Sequence, residues 1–76
     1  MSSREYKDFS TRLRDWRTRR ALSQRELAAA ADVQHVTVAR LETGSRKPRP
    51  RTIRKLAKAL EITIDELQGY GSRDEK

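Results

Sequence analysis

Ser23–Gly44, SQRELAAAADVQHVTVARLETG, is the stretch whose reading decides the fold. It divides into two short helices, about Gln24 to Ala31 and about His35 to Glu42, joined by a turn at Asp32, Val33 and Gln34. Ser23-Gln24-Arg25-Glu26 has the S-x-x-E spacing of a capping box. In that arrangement the serine hydroxyl accepts from the Glu26 N–H and the glutamate reaches back to the Ser23 N–H. Leu22 and Leu27 flank the box where a hydrophobic staple sets the entry angle. Ala28 to Ala31 are strong helix formers, small enough for a neighbouring helix to approach closely. Asp32 then stands where a left-handed residue is tolerated.

In the second helix Val38 and Leu41 share one face, extended backwards by Val33. His35, Val36, Ala39 and Arg40 fall on another, which carries no acid. The first face suits a core. The second suits a DNA major groove, where arginine binds guanine O6 and N7 and an apolar side chain packs on a thymine methyl.

Outward from this centre the pattern remains helical. Tyr6, Phe9, Leu13 and Trp16 recur at spacings of 3, 4 and 3. They form one face of an amphipathic helix over about Tyr6 to Arg20. That period marks the aromatics as core rather than as platforms for stacking bases. Gly44 ends the second helix of the motif as a left-handed residue. Ser45 to Arg51 is a connector stiffened by its prolines, with four cations in seven residues. Pro50 fits the first position of the next helix, where its missing N–H has no cost. Ile53, Leu56, Ala57 and Leu60 share one face of that helix. Thr63-Ile64-Asp65-Glu66 repeats the capping box, with Ile62 and Leu67 as staple, and opens a fifth helix over about Ile64 to Gln68. Nothing reads as a strand. Residues 1–5 are expected to be a disordered arm, 6–68 one domain, and 69–76 a mobile polar tail.

Seventy-six residues make one small domain with a marginal core. There is no cysteine and one histidine, so neither a disulfide nor a zinc site is expected, and no cofactor. No apolar run approaches a signal or membrane segment, so the chain reads as cytoplasmic and not associated with a membrane; association with the nucleoid is expected if it binds DNA. The net charge is +7, unevenly spread. From Arg12 to Lys58 there are 14 Lys/Arg against 4 Asp/Glu, whereas the two ends together hold 4 and 7. A concentrated basic domain is the footprint of a polyanion partner, the alternative being a solvated face. Arg49, Arg51 and Arg54 add a positional argument. They gather at a helix N-terminus, where the macrodipole repels cations. A phosphate placed there reverses the penalty.

The pieces resemble the lambda-repressor and Cro type of helix-turn-helix domain, the Xre-like family. The matching residues are L-R-x-W-R at Leu13 to Arg17, L-S-Q-x-E-L-A at Leu22 to Ala28 and V-x-x-x-x-V-x-x-L-E-x-G at Val33 to Gly44. R-K-P at Arg46 to Pro48 and L-A-K-A-L at Leu56 to Leu60 complete them. One departure is Asp32, where many relatives have glycine at the turn. The resemblance implies an all-α, five-helix lambda-repressor-like domain whose second and third helices form the helix-turn-helix. It also implies a partly buried ion pair between Arg17 and Glu42, a phosphate contact from the Gln24 amide, and subunit pairing that the fifth helix often assists.

The expected function is sequence-specific binding to double-stranded DNA by a transcriptional regulator. A repressor is favoured over an activator because so short a domain has little spare surface to recruit polymerase. The recognition helix would enter the major groove with its N-terminal part on base edges. Gln34, His35, Val36 and Arg40 form the base-facing set. Gln34 either binds adenine or caps the helix. His35 donates to a base or a phosphate. Val36 meets a thymine methyl or is an ordinary exposed valine, and Arg40 takes guanine or a phosphate. Gln24, Arg25, Thr37, Ser45, Arg46, Lys47, Arg49 and Arg51 would hold phosphates, which set register without reading sequence. The resemblance further implies a homodimer on a palindrome with half-sites roughly 34 Å apart.

The alternative is an antitoxin-like module that binds a partner protein through its fifth helix and tail. RNA binding lacks the exposed aromatics it needs. Enzyme activity lacks a catalytic constellation.

Overall fold

In a computed structural model of the chain, residues 3–69 are described, their side chains from Asp8 onward. Five helices follow one another: α1 Ser3–Arg19, α2 Gln24–Ala31, α3 His35–Thr43, α4 Pro50–Leu60 and α5 Ile64–Gln68. No strand occurs among the described residues. None of these helices is long and apolar enough to cross a membrane.

α1 starts at Ser3, earlier than the start near Tyr6 that the apolar stripe indicates; residues 1–2 of the expected arm lie outside the described residues. Ser3-Arg4-Glu5 contains no proline or glycine to stop the helix, and a polar first turn needs no core to cover it. The Tyr6 side chain, placed on the core stripe by its spacing, lies outside the described residues. So does the tail expected at 69–76, apart from Gly69.

Both capping boxes are present. The Ser23 hydroxyl accepts from the Glu26 N–H at 3.0 Å, and Glu26 Oε1 accepts from the Ser23 N–H at 2.7 Å. Thr63 and Glu66 do the same for α5. These two helices therefore begin with donors satisfied. α3 and α4 do not: neither Gln34 nor Arg49 supplies a side-chain cap, and neither helix has an acid in its first turn.

The C-terminal ends share another device. Ala21, Asp32, Gly44 and Glu61 adopt left-handed conformations, with φ of 59°, 58°, 80° and 62°. The next residue's N–H reaches back five positions in each case. Leu22 donates to the Arg17 carbonyl, Val33 to Ala28, Ser45 to Arg40 and Ile62 to Ala57, at 3.0–3.2 Å. This is the Schellman closure, which is often accompanied by an apolar residue folding back after the turn. Leu22, Val33 and Ile62 fill that role and pack against the core. Asp32 thus takes the turn that glycine would take, within the tolerance of aspartate for this region.

α1 packs on α3 and α5, α2 on α3 and α4, and α4 on α5. Leu13, Leu27, Val38, Leu56, Leu60 and Leu67 are wholly buried where they meet. Phe9 joins them, and Trp16 packs at the edge, beneath the Arg19 and Arg20 guanidinium groups. Burying apolar area supplies most of the driving force in so small a domain. It fixes α3 with Val38 and Leu41 inward and the opposite face out.

Candidate nucleic-acid interface

The recognition-helix candidate is held by a buried carboxylate. Glu42, near the end of α3, has a side chain only 1% exposed. The Arg17 guanidinium from α1 donates through Nε to Oε2 and through Nη2 to Oε1, the latter at 2.9 Å. Its Nη1 donates to the Leu22 carbonyl at 2.8 Å. Gln24 Nε2 donates to Glu42 Oε1 at 3.0 Å, tying in the start of α2. Arg14 adds its Nη2 on the Glu42 carbonyl at 3.3 Å, with Nε 3.7 Å from Oε1. Burial pushes the Glu42 carboxyl up. The hydrogen bonds from Arg17 and Gln24, with the charges of Arg17 and Arg14, outweigh burial and hold it below the usual carboxylate range. Donors from α1 and α2 thereby converge on one anion of α3.

The outward face of α3 is free of internal partners. Gln34, His35, Val36 and Arg40 are exposed, Val36 at 42%. Among the described residues, no hydrogen bond or ion pair engages the side chains of Gln34, His35 or Arg40. Gln34 does not cap α3, which removes one of its two expected roles. Its donors and acceptor remain turned outward with the first-turn amides of the helix.

Beside this face lies an open groove between the turn and the start of α4. Gln34 and Thr37 line one side, and Arg46, Arg49, Arg51 and Lys55 the other. The uncapped N-termini of α3 and α4 both border it. Its acid is Asp32, whose backbone carbonyl accepts from Lys55 Nζ at 3.3 Å. A concave surface of cations and open amides is suited to a phosphate.

Other residues expected to hold phosphates fall elsewhere. Lys47 and Arg25 are exposed but do not line the groove. The Ser45 hydroxyl lies 2.9 Å from the Thr43 hydroxyl and donates to the Arg40 carbonyl, so it helps close α3. The Gln24 amide is already on Glu42, leaving its second N–H for an outside acceptor.

The basic surplus is also sorted by the fold. Arg17 and Arg14 serve Glu42, and Arg19 pairs with Asp15. Arg20 donates to the Leu60 carbonyl at 2.6 Å, closing the end of α4. The side chains of Arg25, Arg40, Arg46, Lys47, Arg49, Arg51, Arg54 and Lys58 take part in none of the hydrogen bonds or ion pairs among the described residues. Six of these eight come from the connector and α4.

Thr52 and Lys55 are not marked by the sequence motifs as candidates for this surface. Lys55 and Thr52 line the groove. Arg51 and Lys55, four apart on α4, carried a signal for one of them, since such pairs share a helical face.

Known proteins place these features in a family. A helix-turn-helix family model, HTH_3, matches residues 13–67. The chain is 35% identical over 60 residues to the uncharacterized HTH-type transcriptional regulator RghRB of Bacillus subtilis (strain 168), covering 78% of this chain and 43% of that one. It is 39% identical over 59 residues to the cryptic phage CTXphi transcriptional repressor RstR of Vibrio cholerae, covering 78% and 53%. The chain thus spans about half the length of these curated relatives. Among solved structures, the restriction-modification controller protein C.AhdI of Aeromonas hydrophila superposes with a TM-score of 0.80 at 39% identity, covering 82% of this chain and 94% of that one. An HTH_3 family transcriptional regulator from Vibrio cholerae gives 0.83 at 22% identity, covering 91% and 39%, and shares the fold. The family model spans the chain from the middle of α1 to α5, and on that extent this chain belongs to the HTH_3 helix-turn-helix family.

Proposed function

We propose that the chain is a sequence-specific double-stranded-DNA-binding transcriptional regulator, acting as a repressor in the form of a homodimer on a palindromic operator. The observation that carries this reading is the pairing of two surfaces. The outward face of α3 holds Val36 and Arg40 free of internal partners. The adjoining groove gathers Arg46, Arg49, Arg51 and Lys55. One surface matches base edges in a major groove, the other the sugar-phosphate backbone that flanks it.

In this reading Gln34, His35, Val36 and Arg40 meet bases. Thr37, Arg46, Arg49 and Arg51 hold the phosphate on one flank, with Lys47 and Ser45 beside them, and Gln24 and Arg25 hold the other. Ile64 on α5, 38% exposed, is an apolar surface suited to a second subunit. The regulators and repressors among its relatives support the same role for this chain.

The test is selection of binding sites from a randomised duplex pool, followed by quantitative footprinting. A discrete palindromic footprint is expected. Arg40→Ala should lose roughly 1–3 kcal/mol of discrimination at one base pair per half-site. Equal loss on all sequences would reassign Arg40 to a phosphate. Absence of any preferred duplex, together with a stoichiometric co-purifying protein, would favour the partner-binding alternative.

A further inference from the structure

The outward face of α3 lacks one kind of group. Its exposed side chains are those of His35, Val36, Arg40 and Thr43, with Thr37 and Ala39 half-buried. The helix has a single acid, Glu42, and that carboxylate is turned inward onto Arg17 and Gln24. In the major groove a carboxylate accepts the amino hydrogen of cytosine N4, whereas a threonine hydroxyl serves donor and acceptor edges alike. This face offers no carboxylate, so nothing on it is dedicated to the cytosine amino group.

Val36 supplies only methyl groups, and it is one of two large apolar side chains left exposed among the described residues, the other being Ile64 on α5. A pyrimidine shows its C5 edge to the major groove. Thymine and 5-methylcytosine carry a methyl there, while cytosine and uracil carry hydrogen. An isopropyl group placed against C5 gains contact from that methyl. It makes no hydrogen bond with whatever stands at C4, so it cannot tell a carbonyl from an amino group. Arg40, one turn further along the same face, reads guanine O6 and N7, which methylation at cytosine C5 leaves unaltered.

Resting on the reading of α3 as the groove-entering helix, we infer that Val36 selects a pyrimidine by its 5-methyl group, so that cytosine methylation within a half-site strengthens binding. The ligand class is then 5-methylpyrimidine DNA, with thymine as the ordinary member and 5-methylcytosine as the modified one. Burial of one methyl group is worth about 0.8 kcal/mol, or about fourfold in affinity.

The experiment uses the duplex recovered from the randomised pool. Each pyrimidine of a half-site is replaced in turn by deoxyuridine, thymine, cytosine and 5-methylcytosine. Affinity is read by fluorescence anisotropy for the wild-type protein, Val36→Ala and Val36→Ile. At one position per half-site, thymine should bind about fourfold more tightly than uracil, and 5-methylcytosine about fourfold more tightly than cytosine. Val36→Ala should flatten both ratios and Val36→Ile should retain them. Ratios near one at every position, on a duplex the protein still prefers, would overturn the methyl readout and leave the DNA-binding reading intact. Ratios unchanged in Val36→Ala would overturn it equally. If no duplex is preferred over random DNA, the reading beneath it fails and this inference fails with it.

Discussion

Replacing Arg17 with methionine tests how α3 is held. The substitution keeps most of the apolar stem and removes the guanidinium. Glu42 loses its two Arg17 donors and keeps Gln24 at 3.0 Å and Arg14 at 3.7 Å. The Leu22 carbonyl loses its 2.8 Å partner. Breaking a buried pair by removing one member costs about 3–5 kcal/mol, because the remaining charge stays buried. Gln24 and Arg14 shift this toward the lower end, and the orphaned carbonyl adds about 1 kcal/mol. The expected loss is roughly 3–4 kcal/mol, equivalent to about 15–25 °C in Tm for a domain of this size.

The deficit should depend on pH in a defined direction. Glu42 is held below its ordinary value in the folded protein, so its contribution is present above the unfolded value of about 4.3 and is lost as pH falls toward the lowered one. In Arg17→Met the main opposing donor is gone and burial favours the neutral carboxyl. The gap between variant and wild type should therefore be widest near pH 7 and narrow below about pH 4. Thermal and urea unfolding followed by circular dichroism at both pH values would measure it. The double variant Arg17→Met/Glu42→Leu should recover most of the loss, since it removes the stranded charge. A variant that melts like wild type at pH 7, or whose deficit does not shrink in acid, would refute the argument.

Three further outcomes follow from the structure. If a dimer neutralises about eight phosphates, log K should fall against log salt with a slope near −7, and Arg51→Ala should make it shallower by about one per subunit; a wild-type slope shallower than about −2 would sink the clamp, as read by anisotropy titrations across a salt series. Arg14 is 61% exposed, and the charge of Glu42 is already met by Arg17, so Arg14→Gln should shift stability by less than about 1 kcal/mol; a larger drop in the urea midpoint would make Arg14 a full member of the buried cluster. Ala21→Gly should stabilise the fold by about 0.5–1 kcal/mol, because an exposed alanine at φ 59° bears the left-handed penalty that glycine avoids, and a lower urea midpoint would contradict this.

Much of the architecture was legible in the chain because its signals are local. The Ser23–Glu26 and Thr63–Glu66 boxes, the 3- and 4-residue apolar spacings and Gly44 each act within about one helical turn, so they name helices and their ends without reference to the rest of the molecule. They also assign Val38 and Leu41 to one face of α3 and Val36 and Arg40 to another. α1 begins ahead of its apolar stripe for the same reason: Ser3-Arg4-Glu5 carries no apolar period to read.

Packing alone decided which side chains meet across the chain. Arg14 and Gln24 lie 28 and 18 residues from Glu42, yet both join Arg17 on it. Arg20 lies 40 residues from the Leu60 carbonyl it closes. The composition counted these arginines among the surplus cations; the fold takes them out of it and leaves the connector and α4 as the main free reserve. The groove beside α3 is likewise a product of two segments, Asp32 to Thr37 and Arg46 to Lys55, brought together by the burial of Val38, Ile53 and Leu56. Local hydrogen bonds and helical period are written in neighbouring residues. The reach of a long side chain toward a distant partner depends on the angle between helices, and that angle exists only once the core has closed.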